Sequence, residues 1–297
     1  MSIIMKKIIK KIFPKSLLEK TLSLYYRDRM FFYDKEFINY IYNKKKGLVK
    51  SCHEIETLVV RGSNADFGFD PSLFPNSYNL GLTSTDLYST YYIYQSVNKR
   101  MPNLKNIIIY LSPASIGFEL GRTREKYRLF AYKYFFDVPI VYDLSNLKIE
   151  KKVLLSSLKV KNKEEEYLNM SNGYVAHNGC HENYKANERV RTHLRENKRE
   201  PDQINWLKSL VEAIEREGKK AYLVITPMRS DYKDLMPDEN EIYKKIFNEF
   251  DSEIILNFYN DNDFDDMDMF DTDHLNDTGA KKLTKKIYKR LMHDLEF

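Results

Sequence analysis

Two cysteines, Cys52 and Cys180, are all that the 297 residues contain. They exclude a disulfide framework and point to a reducing compartment. No run approaches the ~18 consecutive apolar residues of a membrane-spanning helix. The opening MSIIMKKIIKKIFPKSLLEK has neither a long apolar core nor a small-residue cleavage site, so it does not read as a secretory signal. Net charge is only +5, and residues 1–30 alone carry eight Lys or Arg against Glu19 and Asp28. The rest of the chain is therefore close to neutral, which argues against a nucleic-acid surface on the main body. A chain of this length with 42% hydrophobic residues is nevertheless expected to bury a sizeable core.

The charge of residues 1–50 is interleaved with Ile3, Ile4, Ile8, Ile9, Phe13, Leu17 and Leu18 at helical spacing. This predicts a basic helical extension, interrupted at Pro14. Residues 1–20 are suited either to peripheral contact with an anionic membrane face or to ordinary packing, with the chain otherwise expected in the cytoplasm.

From residue 55 the pattern becomes that of an α/β domain spanning residues 51–297. IETLVV (55–60), NIIIYL (106–111), AYLVIT (221–226) and EIILNF (253–258) are short, buried-type strand runs. A helix capped by Thr83 or Ser84, with Asp86 in its first turn, is predicted to run to Lys99. Leu207, Leu210, Val211 and Ile214 mark a second, ending at Gly218. Glu239–Phe250 and Thr278–Leu291 predict two more. Four strand–helix units imply a three-layer, doubly wound parallel sheet with reactive residues beyond the carboxyl ends of its strands. Residues 117–200 break the rhythm and read as an insertion. Its Arg122, Arg124 and Arg128 are candidates for holding an anionic sugar, or else form a solvated face or an oligomer contact.

Two segments carry chemistry. LVVRGSNADFGFDP delivers Ser63 on a turn after the first strand, and FDTDHLNDTGA places Asp271 and His274 just before the last helix. A serine hydroxyl needs a base to take its proton, and the base needs a carboxylate to fix its tautomer. Asp271, three residues before His274, is the local choice; adjacent Asp273 is the rival. Two metal readings are weaker. Asp261, Asp263 and Asp265 alternate as in a calcium loop, but Asp266 stands where glycine is required and Thr272 where the closing Glu should be. His177, Cys180 and His181 are close in sequence without a second cluster. No metal is expected.

These motifs resemble those of the SGNH (GDSL-like) hydrolases. Asp271-Thr272-Asp273-His274-Leu275-Asn276 followed by Gly279-Ala280 is similar to that family's Asp-x-x-His block, and Ser63 to its nucleophile. Asn79-Leu80-Gly81-Leu82-Thr83-Ser84 is similar to its second block, with Ser84 where a glycine amide serves the oxyanion hole. YLVITPMRSDY (222–232) also resembles the penultimate strand and loop of a bacterial branch. The resemblance covers about residues 51–116 and 203–291. It implies a flavodoxin-like α/β/α fold and Ser63–His274–Asp271 acyl transfer without a required cofactor. The substrate it implies is an O-acylated bacterial surface or capsular glycan. A transferase would also use an acyl donor such as acetyl-CoA. The chain departs from the family at Gly62 (Asp there), at Arg61 (Gly there) and in Tyr110-Leu111-Ser112-Pro113-Ala114, which lacks the third block's oxyanion Asn. A catalytically weak module that binds glycan or a partner protein therefore stands as one alternative, and a membrane-surface lipid esterase as another. Oligomeric state is not legible.

Overall fold

The computed structural model describes residues 35–142, 170–181, 185–197 and 203–293. The helices predicted before residue 35, and the middle of the predicted insertion, lie outside these residues. The elements are α1 (Lys35–Ser51), β1 (Thr57–Val60), α2 (Gly62–Gly68), β2 (Ser77–Leu80), α3 (Leu87–Val97), β3 (Asn106–Leu111), α4 (Leu129–Phe136), α5 (Ala186–Asn197), α6 (Ile204–Arg216), β4 (Lys220–Ile225), α7 (Ser230–Lys233), α8 (Glu239–Ile242), α9 (Lys244–Glu249), β5 (Ile255–Asn257) and α10 (Asp277–His293). Among the described residues no helix is long and apolar enough to cross a membrane.

The five strands form one parallel sheet in the order β2-β1-β3-β4-β5, the order of flavodoxin-like doubly wound folds. Successive strand residues face opposite sides. Val59, Ile108, Tyr110, Tyr222, Val224 and Leu256 share one core with Ala65 of α2 and with Leu283, Ile287 and Leu291 of α10. Leu58, Val60, Ile107, Ile109, Leu223 and Ile225 are equally buried. On that second side α3 packs on α6, and α6 on β4. Burial on both faces explains why the strands are continuous apolar runs.

Sequence and structure differ in several elements, among them α2, which replaces the turn expected at Ser63. β2, SYNL, was not foreseen, because its buried Ser77 and Asn79 hide it from an apolar-run reading. Asn79 is tolerated there because its Nδ2 donates to the Ala65 and Phe69 carbonyls, 2.8 Å each, at the end of α2. The cap of α3 is Asp86, whose carboxylate accepts the Ser89 amide at 2.8 Å, and not Thr83 or Ser84, which form the preceding turn. The helix predicted over 239–250 is two short ones, α8 and α9, broken at the buried Tyr243.

The described residues fall into two compact units, 44–119 with 170–181, 185–197 and 203–293, and 35–43 with 120–142. The predicted insertion is thus shared between them. The larger unit holds the sheet. In the smaller, Phe37 packs edge-on against Tyr132 (5.8 Å) under the Arg128 guanidinium, 4.5 Å above its ring.

Candidate active site

β1 ends on two consecutive left-handed residues, Arg61 (φ 81°) and Gly62 (φ 62°), and α2 begins at once. Glycine adopts that conformation freely; arginine does not. Arg61 is held there by burial and by Nη1 donating to the Tyr110 carbonyl (3.1 Å), and burial pushes its pKa down to about 10. The Gly62 amide donates to Thr85 Oγ1 (2.7 Å). Gly81 lets β2 run close to α2, since a Cβ there would lie 2.3 Å from the Asp66 nitrogen. This sharp reversal sets Ser63, half-buried, in the first turn of α2 at the carboxyl edge of the sheet.

The segment after β5 brings the other two groups. Asp271 Oδ1 accepts the backbone amides of Asp273 (3.0 Å) and His274 (2.9 Å), and the Phe270 amide donates to the His274 carbonyl (2.8 Å). Asn276 Oδ1 accepts the Gly279 amide (3.0 Å) and so caps α10. In this frame His274 Nε2 lies 2.7 Å from Ser63 Oγ, and His274 Nδ1 lies 2.8 and 2.9 Å from the two Asp271 oxygens. Residues 211 positions apart are joined in the serine–imidazole–carboxylate chain that activates a nucleophile. Asp273 is farther from Nδ1, at 3.9 Å.

Asp273 has different partners. Arg189 of α5 grips it with two bonds, Nε to Oδ1 (2.9 Å) and Nη2 to Oδ2 (2.8 Å), and Thr272 Oγ1 donates to Oδ1 (2.9 Å). His193 Nε2 lies 3.9 Å from Oδ2, while its Nδ1 meets the Tyr232 hydroxyl at 2.6 Å. Asn64 Nδ2 donates to the Asp273 carbonyl (2.6 Å), tying α2 to this segment. Sequence reading missed Arg189, His193 and Asn64; the first two lie within the predicted insertion, where no local pattern points to the site.

Burial opposes charge throughout the site; at His274, Asp271 and Asp273 the charges overcome it, and at His193 burial prevails. For His274, burial lowers the pKa, but Asp273 and Asp271 raise it further, so it ends above the usual imidazole range. Burial works against the Asp273 carboxylate as well, yet Arg189 above all, with His274, holds it well below its ordinary value. Asp271 is likewise lowered against burial, by His274. His193 is pushed down to about 3 by burial and stays neutral.

Ser84 has φ 65° at the third position of a turn closed by the Thr85 amide on the Leu82 carbonyl (3.1 Å). That is a glycine-type conformation at the place where the resembling family has glycine. In place of the third-block Asn, the Ser112 amide donates to Ser115 Oγ at 2.6 Å. Arg122, Arg124 and Arg128 belong to the smaller unit; Arg122 and Arg124 are exposed, and Arg128 pairs with Glu125 (2.8 Å). Beside the triad, Phe67 packs 4.9 Å from the His274 ring and stacks on His177 at 3.6 Å, with Phe270 next to both.

Among the described residues, Asp271, Asp273 and His274 form the sole group of three metal-capable side chains, within 4.8 Å of one another. A cation there would have to displace Arg189 from Asp273. His177, Cys180 and His181 form no such group: Cys180 Sγ lies 3.7 Å from the Asp266 carbonyl and His181 packs on Phe270. The acidic run is internally engaged, Asp261 and Asp263 by Lys286 and Asp268 by Lys282. The sequence matches no protein-family model and no curated protein at a significant level.

Proposed function

We propose that this chain is a serine-dependent acyl-transfer enzyme of the SGNH type, acting as an O-acetyl-esterase or O-acetyltransferase on an O-acylated glycan. The observation that carries the reading is the continuous path from Ser63 Oγ through His274 to Asp271. The glycan rests on the motif resemblance, since a fold does not name a substrate.

In this reading Ser63 Oγ attacks the acyl carbonyl carbon as its proton passes to His274 Nε2. Asp271 keeps the proton of neutral His274 on Nδ1 and stabilises the imidazolium that forms. Collapse of the tetrahedral adduct breaks the ester C–O bond, and the imidazolium protonates the departing alkoxide. The acyl group, now on Ser63, is then taken by water in an esterase or by an acceptor hydroxyl in a transferase, with His274 again the base. A transferase would instead draw its acyl group from a donor such as acetyl-CoA, in which case the bond broken is the thioester C–S bond and the leaving group is the thiolate. The amides of Ser63 and Ser84 are assigned to the oxyanion. The Ser63 amide lies in the first turn of α2, where helix N–H groups lack intrahelical partners, whereas the Gly62 amide is already bound to Thr85.

The reading is tested with a fluorophosphonate probe and a panel of acetylated sugars and short-chain esters. Labelling at Ser63, lost in Ser63→Ala, is the expected result. Clean failure to label would favour the second reading, a weak module that binds glycan or a partner protein. That reading draws on the missing third-block Asn and on Asn64, whose amide is turned toward Asp273.

A further inference from the structure

His274 faces two carboxylates, the half-buried Asp271 and the fully buried Asp273. The groups around it are Asp271 and Asp273 from its own segment, Ser63 from α2, Arg189 and His193 from α5, and His177 from residues 170–181. Asp271 presents both oxygens to Nδ1. Asp273 Oδ1 is only about an ångström farther away, at 3.9 Å, and its side chain is 2% exposed. Left unpaired, such a carboxylate would compete for the Nδ1 proton. It would also stabilise the imidazolium and so reduce the fraction of His274 available as a neutral base at neutral pH.

We infer that Arg189 is a positioning residue that reserves His274 for Asp271 by engaging both oxygens of Asp273. The guanidinium fork fits the carboxylate with two bonds of 2.9 and 2.8 Å, a match that an ammonium group cannot reproduce. Oδ1 also receives the Thr272 hydroxyl, and Oδ2 is faced by His193, so each Asp273 oxygen has a partner other than His274. The direction of the electrostatics agrees: Asp273 raises the proton affinity of His274 and Arg189 lowers it. Arg189 is itself 40% exposed, so it carries the charge balance of a buried site to the protein surface. The role rests on the acyl-transfer reading above.

The test is the pH dependence of fluorophosphonate labelling in the full-length protein, with circular dichroism and thermal melting as controls for folding. In Arg189→Met the acid limb is expected to move up by about one pH unit, which slows labelling at neutral pH by up to about tenfold. Arg189→Lys should fall between the two. Adding Asp273→Asn to Arg189→Met removes the carboxylate that needed neutralising. It should return the rate to within about threefold of wild type, the non-additivity expected of groups in direct contact. Should Arg189→Met fail to fold, Asp273→Asn alone carries the test: with Arg189 unbalanced, its acid limb should move to lower pH. A purely structural clamp would change the melting temperature and leave the limb in place. A wild-type pH profile in Arg189→Met, no recovery in the double variant, or an unmoved limb in Asp273→Asn would each overturn the role while leaving the acyl-transfer reading intact. An unlabelled wild-type Ser63 would instead sink that reading and this role with it.

Discussion

Replacing Asp271 by Asn keeps the side chain's shape and changes which imidazole nitrogen carries the proton. Oδ1 of Asp271 accepts two backbone amides, at 2.9 and 3.0 Å. An asparagine will therefore keep its carbonyl oxygen at that position and put its NH2 where Oδ2 now lies, 2.8 Å from His274 Nδ1. That NH2, slightly nearer Nδ1 than Oδ1 is (2.8 against 2.9 Å), favours the tautomer in which Nδ1 accepts and the ring proton sits on Nε2. Nε2–H then donates to Ser63 Oγ instead of taking its proton. In a serine triad this tautomer error costs about 10⁴ in turnover, equivalent to ~5.5 kcal/mol of barrier. Asp273→Asn touches neither Nδ1 contact and should stay within about tenfold of wild type. The assay is steady-state hydrolysis of a small aryl acetate near pH 8, normalised to folded protein. A larger loss in Asp273→Asn than in Asp271→Asn would refute the assignment and transfer the orienting role to Asp273.

Ser63→Ala and His274→Ala should each remove nearly all turnover, and the double variant should be little worse than either single, because triad members act as a unit; substantial hydrolysis by Ser63→Ala would displace the nucleophile. Because the folded-state pKa of His274 is raised, the base becomes neutral only above the usual imidazole range, so kcat/KM should fall below a limb lying above pH ~6.5; a limb well below 6.5 would contradict the two-carboxylate environment. His193 has the opposite sign: its pKa is depressed to about 3 in the fold, so the unfolded chain binds its proton first and stability is lost as pH falls from ~6.5 toward 3. Two units below 6.5 the loss is on the order of 2–3 kcal/mol, and denaturant midpoints at pH 7 and 4.5 should converge in His193→Gln. Arg128→Ala, which loses the Glu125 pair and the Phe37 ring contact, should lower the melting temperature.

The sequence by itself settled the elements whose character is local. β3 and β4 were legible because strands buried on both faces must be continuous apolar runs. α6 and α10 were legible because each has one packed face. The pairing of Asp271 with His274 was visible because three-residue spacing and two backbone amides build it within one segment. Tertiary structure decided what depends on partners far along the chain. β2 is a strand because Asn79 finds the end of α2. α2 is a seven-residue helix that begins and ends with glycine, and its packing on α10 supplies stability that its own sequence lacks. Thr83, Thr85 and Asp86 are all cap-type residues, and the fold assigned the cap to Asp86 because Thr85 is committed to Gly62. Arg189 and His193 lie in the predicted insertion, and nothing local marks them until Asp273, 84 residues downstream of Arg189, is brought beside them. A side chain's charge is written in the sequence; whether it faces water or balances a buried carboxylate is fixed only when distant segments close around it.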